Sequence, residues 1–305
     1  MALLNVGGAV HVHDPEIVKE NGIYYRFCTG QGIAMAKSED LITWEDCQPV
    51  FKENPVWTGK AIPGSTWFWA PDITFHKNAD GSGEWRLYYS VSTFGSQKSA
   101  IGLCVNKTLD PSSPDYCWQD LGCVLQSDEN CAYNAIDPAV FSDGKKDYLL
   151  FGSFWGGLFA LPLTDQGFAV KDAPVTCIAT RNMNPNPVEG GFIFYHEGFY
   201  YLFASYDFCC RGSASSYHIV CGRSENPLGP YTDIFGKSFL EGGGDTLRDS
   251  FSFDRWAGPG HNSVFKDDDG KIYLVYHAYD RNDDGKSCLQ IEELFFDDGF
   301  PSVKD

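Results

Sequence analysis

The chain has 305 residues, with 41 acidic against 23 basic side chains, a formal net charge of −18, 15% aromatic residues and 32 glycines. Such a charge argues against nucleic acid or an anionic membrane surface as partner and favours a neutral ligand. No apolar run approaches the roughly 18 residues that a membrane span requires, and the aromatics and glycines fit many short strands joined by tight turns, with little helix.

One unit recurs five times. The first copy, "DPEIVKENGIYYRFCTG" at 14–30, opens on Asp14. Pro15 keeps the strand start extended and removes a backbone donor there. The Asn21-Gly22 turn and the run through Tyr24, Tyr25 and Phe27 complete a β-hairpin, and "AMAKSEDLITWEDC" supplies outer strands. The second copy, at 70–92, follows Trp67, Phe68 and Trp69 and opens on Ala70. Trp69, and Phe94 in "STFGSQKS", are candidate sugar platforms because a flat aromatic face stacks on a sugar ring. Asp72 reads as a structural hydrogen-bond acceptor.

The third copy, "DPAVFSDGKKDYLLFGSF" at 137–154, opens on Asp137, and Gly156-Gly157 predicts a tight turn that brings Ser153, Phe154 and Trp155 to the same mouth. The fourth, "EGGFIFYHEGFYYLFAS" at 189–205, places Glu189 where the aspartates stood, with Gly190 and Gly191 leaving room for a ligand or a close backbone. The fifth, "HNSVFKDDDGKIYLVYHAYD" at 261–280, opens on His261 after the insertion "EGGGDTLRDSFSFDRWAGPG", assigned to the same blade; "SCLQIEELFFDDGFPSV" reads as its last strands. Strand units restarting about every 60 residues predict an all-β, five-bladed β-propeller filling 1–305 as a single domain. Equivalent residues of the innermost strands then converge on the axis, which receives three carboxylates and an imidazole.

The eleven cysteines favour an oxidising compartment. Cys104, Cys117, Cys123 and Cys131 are expected to pair locally, while Cys209 and Cys210 form either a vicinal disulfide or buried thiols. No CxxC spacing suggests a structural zinc. Asn106-Lys107-Thr108 is a glycosylation sequon. "MALLNVGGAV" lacks a signal pattern, so either the protein is cytosolic or its start has been trimmed; the cysteines favour the second, and the protein is expected outside the cell with its signal removed.

Gathering Asp14, Asp137 and Glu189 in one cleft forces at least one pKa upward, since like charges that close cannot all ionise. Carboxyls from three separate blades do not make a hard-metal cage. They suit glycoside hydrolysis, in which one carboxyl protonates the leaving oxygen, another activates water, and the third orients the acid. His261, at the axial register, is a candidate ligand for a water, an anion or a cation such as Ca²⁺.

The stretches "VHDPEIV", "WAPDI", "AIDPAVF", "GSFWGG", "YDFCCRG", "GPYTD", "GPGHNSVF" and "YHAYD", spread over 12–280, resemble glycoside hydrolase family 43 and within it the arabinanases. The resemblance implies a propeller of inverting enzymes, with Asp14 as general base, Glu189 as general acid and Asp137 tuning the acid. Trp69 and Phe94 match aromatic subsite positions, and His261 the axial histidine beside an ion or water. It further implies endo-cleavage of α-1,5-linked L-arabinan, as in plant cell-wall pectin, by a monomer that needs no cofactor. The long stretch before His261 and the Gly190-Gly191 pair depart from the family pattern near the cleft and bear on endo against exo action. The alternatives are an exo-acting arabinanase, an α-L-arabinofuranosidase or a β-xylosidase of the same family, and a non-catalytic binding propeller. A retaining fructan or sucrose hydrolase is disfavoured, because its "NDPNG"-like start is absent.

Overall fold

The computed structural model describes residues 3–78 and 81–304. Five sheets surround an axis. Blade one comprises β1 (Gly7–Gly8), β2 (Glu16–Glu20), β3 (Ile23–Cys28), β4 (Ala34–Ser38) and β5 (Thr43–Asp46). A single α-helix among the described residues, α1 (Val56–Ala61), leads to blade two: β6 (Phe68–Lys77), β7 (Gly83–Val91), β8 (Ser99–Asn106) and β9 (Gln119–Ser127). Blade three holds β10 (Ala139–Ser142), β11 (Asp147–Phe151), β12 (Leu158–Pro162) and β13 (Thr176–Ala179); blade four, β14 (Val188–His196), β15 (Phe199–Tyr206), β16 (His218–Ser224) and β17 (Asp245–Arg248); blade five, β18 (Trp256–Lys266), β19 (Ile272–Asp280), β20 (Lys286–Asp297) and β21 (Phe300–Val303). In each blade four consecutive strands run antiparallel in chain order from the inner strand outward, and in blade one β1 adds in parallel to the outer edge of β5. No helix is long and apolar enough to cross a membrane.

The blades pack through apolar clusters that span neighbouring sheets. Phe27 and Met35 of blade one join Phe68, Leu87 and Tyr89 of blade two, and Val12, Ile17 and Trp44 join Val275, Leu289 and Ile291 of blade five. The ring is laced shut by the chain start. Residues 4–12 bond the first half of β20, which β21 does not reach, through Leu4 N–H to Ile291 O (2.8 Å) and Leu289 N–H to Val10 O (2.8 Å). The same segment bonds β5 through Ala9 N–H to Trp44 O (2.9 Å).

At the axis the repeat has a backbone signature. Asp14, Ala70, Asp137 and His261 all adopt left-handed φ, at 54°, 42°, 57° and 49°, a conformation a side chain occupies only when its surroundings impose it. In blade four the residue with this conformation is Gly190, at 56°, not Glu189. Glu189 therefore stands one position ahead of the register expected for it. Each of these five N–H groups is clasped by the preceding blade: Ala70 by Thr29 Oγ1 (2.9 Å), Asp137 by Ser90 Oγ (2.9 Å), Gly190 by Asp137 Oδ2 (3.2 Å), His261 by Ser205 Oγ (2.7 Å) and Asp14 by His277 Nδ1 (3.1 Å).

Three other expectations are corrected. Asp245–Arg248 of the supposed blade-five insertion forms β17, the outer strand of blade four, because it pairs with β16. All eleven cysteines are free; the local pairing fails because Cys104 is buried on β8 opposite Asp120 while Cys123 lies opposite Gly102. The Asn106 side chain is buried, with Oδ1 accepting N–H bonds from Lys107 (2.9 Å) and Cys117 (3.0 Å), so it is not presented for glycosylation. Asp72 is a structural acceptor as expected, taking the Val140 N–H at 3.1 Å across the blade boundary.

Candidate active site

Asp14 is buried and heavily bonded. Its Oδ2 accepts the Thr29 hydroxyl at 2.5 Å, and its Oδ1 lies 2.8 Å from His13 Nδ1 and 3.1 Å from His261 Nδ1. Burial alone would raise its pKa, but the facing His13 and His261 rings, with His277 beyond them, outweigh that and hold the carboxyl well below the usual carboxylate range. The imidazoles divide the charge between them. Burial opposes ionisation of all three, yet contact with Asp14 raises His13 well above its ordinary value, while His261 is lowered and His277 is lowered further. His277 therefore accepts the Asp14 N–H as a neutral ring.

Glu189 faces different neighbours. Its Oε2 accepts the Ser153 hydroxyl at 2.6 Å, and its Oε1 accepts the Tyr217 hydroxyl at 3.0 Å. Burial raises its pKa against those two donors, and the negative charge of Asp14 adds to the rise. Asp137 is buried beside it and raised well above its ordinary value, first by burial and then by Glu189 and Asp14. The Asp137 and Glu189 carboxyls thus act as a pair that holds protons to higher pH, while Asp14 stays ionised. One cleft then offers a carboxylate able to accept a proton and a carboxylic acid able to donate one.

Gly190 explains itself here. A Cβ on it would lie 3.0 Å from His261 Nδ1, and one on Gly191 would lie 2.8 Å from Leu158 Cδ1. The two glycines admit close neighbours within the protein, and the left-handed turn at Gly190 directs the acid.

Of the expected binding residues, Ser153 is in the site, holding Glu189 rather than standing free. The turn after it forms as predicted, through Gly157 N–H to Phe154 O at 2.6 Å, and leaves Trp155 42% exposed. Phe94 is 84% exposed, and Trp69 is half-buried directly ahead of Ala70. His261 lies against Asp14. Among the described residues the groups of three metal-capable side chains are His13 with Cys209 and Cys210, and His13 with Asp14 and His277; His261 belongs to neither. His13, Thr29, Tyr217 and His277 were not singled out in the sequence. His13 carried a signal, as the neighbour of Asp14, whereas Tyr217 carried none, coming from the loop before β16.

An ionised carboxylate and a raised carboxylic acid, brought together from separate blades of a five-bladed propeller, are the equipment of a glycoside hydrolase. The sequence profile described as "Glycosyl hydrolases family 43" matches residues 5–301, and the chain belongs to that family. It is 40% identical to an extracellular exo-α-(1→5)-L-arabinofuranosidase of Cellvibrio japonicus, over 96% of this chain and 86% of the relative. It is 39% identical to an extracellular endo-α-(1→5)-L-arabinanase of Bacillus subtilis, over 95% and 87%. The solved Cellvibrio cellulosa α-L-arabinanase in complex with arabinohexaose superimposes with a TM-score of 0.90 at 40% identity, covering 97% of this chain and 96% of that one.

Proposed function

We propose that the chain is a single catalytic domain that hydrolyses α-1,5-linked L-arabinan internally and with inversion. Asp14 is the general base that activates water, Glu189 the general acid that protonates the leaving oxygen, and Asp137 the group that positions and tunes the acid. The observation that carries this reading is the opposite displacement of the Asp14 and Glu189 pKa values. The arabinan-acting relatives support the substrate, and the exposed rings of Phe94 and Trp155, with Trp69 at the start of the inner strand, suit stacking on furanose rings. Two carboxyl groups complete the reaction without a cofactor. The extracellular relatives support action outside the cell.

Of the buried polar atoms without a hydrogen-bond partner near His261, Asn262 Oδ1 alone is an acceptor that a cation could use; Asn262 Nδ2 and the Nε2–H of the neutral His277 ring are donors that suit a water or an anion. A hard cation wants roughly six to eight oxygens, so Ca²⁺ would keep most of its shell as water, and no step of hydrolysis runs through it.

A time course of linear arabinan hydrolysis followed by NMR is expected to show the β-anomer first; first appearance of the α-anomer overturns the assignment of Asp14 as base. Product sizing on the same substrate should give a spread of oligosaccharides from the earliest time. A single short product from the start would favour exo action, which the 40% identical exo-acting relative makes the second reading.

Asp137→Asn tests the tuning role. In the wild-type protein a second carboxylate beside Glu189 resists loss of the last proton of the pair. With that charge gone, Glu189 ionises at lower pH, so the basic limb of the kcat profile should move down while KM changes little. An unmoved limb, or a rise in KM alone, would place Asp137 in substrate binding instead.

A further inference from the structure

The cleft edge carries a group that hydrolysis does not use. Beyond β15 the chain turns through Cys209 and Cys210. In extended backbone, adjacent side chains point to opposite sides, but Cys210 has a φ of 63° and the two sulfurs lie together, 2.7 Å apart. The turn is held in place: Cys210 N–H donates to the Tyr279 hydroxyl at 2.8 Å, and that hydroxyl lies 2.8 Å from His13 Nε2. Cys210 Sγ is 3.8 Å from the same nitrogen. Ligand atoms of His13, Cys209 and Cys210 all fall within 4.8 Å of one another.

The other face of the His13 ring is equally telling. Its Nδ1 lies 2.8 Å from Asp14 Oδ1, and an imidazole whose far nitrogen is held by a carboxylate is the usual outer support of a metal-bound histidine. Two sulfurs and one imidazole nitrogen are the donor set of a d¹⁰ cation such as Zn²⁺, and magnesium or calcium, which take oxygen, would be refused. Tetrahedral thiolates sit about 3.7 Å apart at Zn–S lengths of about 2.3 Å, so a modest rotation of the two side chains separates them enough. Cys210 is exposed, which leaves the fourth position open to the cleft.

We propose that Cys209, Cys210 and His13 form a binding site for a thiophilic d¹⁰ cation, and that its occupation silences the enzyme by filling the cleft edge beside Asp14. Each thiol, and the Nε2 of the charged His13 ring, gives up a proton to solvent as the cation binds, and no oxidant is involved. The binding half stands on geometry alone; the silencing half rests on Asp14 being the base.

The test uses the full chain, purified with reductant and stripped of metal, titrated anaerobically with Zn²⁺ by calorimetry and with Co²⁺ by absorbance. One ion per chain and a thiolate-to-cobalt charge-transfer band are expected, undisturbed by excess Ca²⁺ or Mg²⁺. Cys209→Ser and Cys210→Ser should each weaken Zn²⁺ by about tenfold or more and remove the band. Absence of binding, equal affinity in both variants, or a mass two hydrogens low that shows the sulfurs bonded to each other would overturn the site. On arabinan, Zn²⁺ should inhibit reversibly, relieved by chelator, with the inhibitory concentration raised about tenfold or more in Cys210→Ser. Binding without inhibition overturns the silencing alone. A failure of Asp14 as base would appear separately, as activity retained in the metal-free Asp14→Asn protein.

Discussion

Asp14→Ala is expected to lower kcat/KM on arabinan by about 10³- to 10⁴-fold, equivalent to about 4–5.5 kcal/mol of transition-state stabilisation. Water is a poor nucleophile, and no other carboxyl in the cleft is ionised to take its proton. Asp137 and Glu189 hold protons to high pH, and His13 is already charged by its contact with Asp14. The loss should be the same on every substrate, because an easier leaving group does not activate water. Alanine also takes away the carboxylate that keeps His13 charged and the acceptor of the Thr29 hydroxyl, so the ring sheds its proton and some stability is lost with the hydrogen bonds. Asp14→Asn is therefore the companion variant: the amide keeps the Thr29 hydroxyl bond but cannot accept a proton. Steady-state rates beside a thermal unfolding midpoint separate the two effects. Azide, entering the space left in the alanine variant, should restore turnover and yield a glycosyl azide of inverted configuration. If Asp14→Asn retains more than about a tenth of the wild-type rate on arabinan, general-base catalysis, worth at least about 10²-fold, lies elsewhere.

The propeller is legible in the sequence because a hairpin must be written out residue by residue: alternating aromatics, a Gly or Asn turn, and a leading residue that begins each inner strand. Asp14, Asp137 and His261 lie where that repeat places them, and all three share the left-handed backbone the axis demands. Blade four shows the limit. Matching acid to acid set Glu189 in register with the aspartates, whereas matching backbone demands would have chosen Gly190, the one residue type there that adopts φ 56° without strain. The extra length of glutamate and the shift by one residue belong together, since the acid reaches its donors Ser153 and Tyr217 from one position earlier. Contacts made by residues distant in sequence left no mark. Thr29 to Ala70 and His277 to Asp14 join neighbouring blades, and a periodic pattern records what a strand does within its own blade, not which side chain of the preceding one will clasp it. The cysteines misled for a related reason: their number suggested staples, but blade two buries Cys104 as an apolar side chain in its core.

Glu189→Ala should divide substrates by their leaving groups. On arabinan, where the departing alkoxide needs a proton, the loss is expected at about 10²- to 10⁴-fold. On a 4-nitrophenyl glycoside of an arabino-oligosaccharide, whose phenolate departs without one, most of that loss should disappear. The pH profile gives an independent reading. Burial and the Asp14 charge raise the Glu189 pKa above the ordinary carboxylate value, so the acid is fully present below that raised value and is lost as pH rises through it; this sets the basic limb of the wild-type profile. With alanine in its place no such proton exists, and the basic limb on the activated substrate should flatten. The Ser153 and Tyr217 hydroxyls, which donate to the ionised form and pull the pKa down, supply the control. Tyr217→Phe removes one donor, so the wild-type limb should move to higher pH while the acid remains. Equal losses of the Glu189 variant on both substrates, or a basic limb that survives the substitution, would move the proton donor from Glu189 to its paired carboxyl, Asp137.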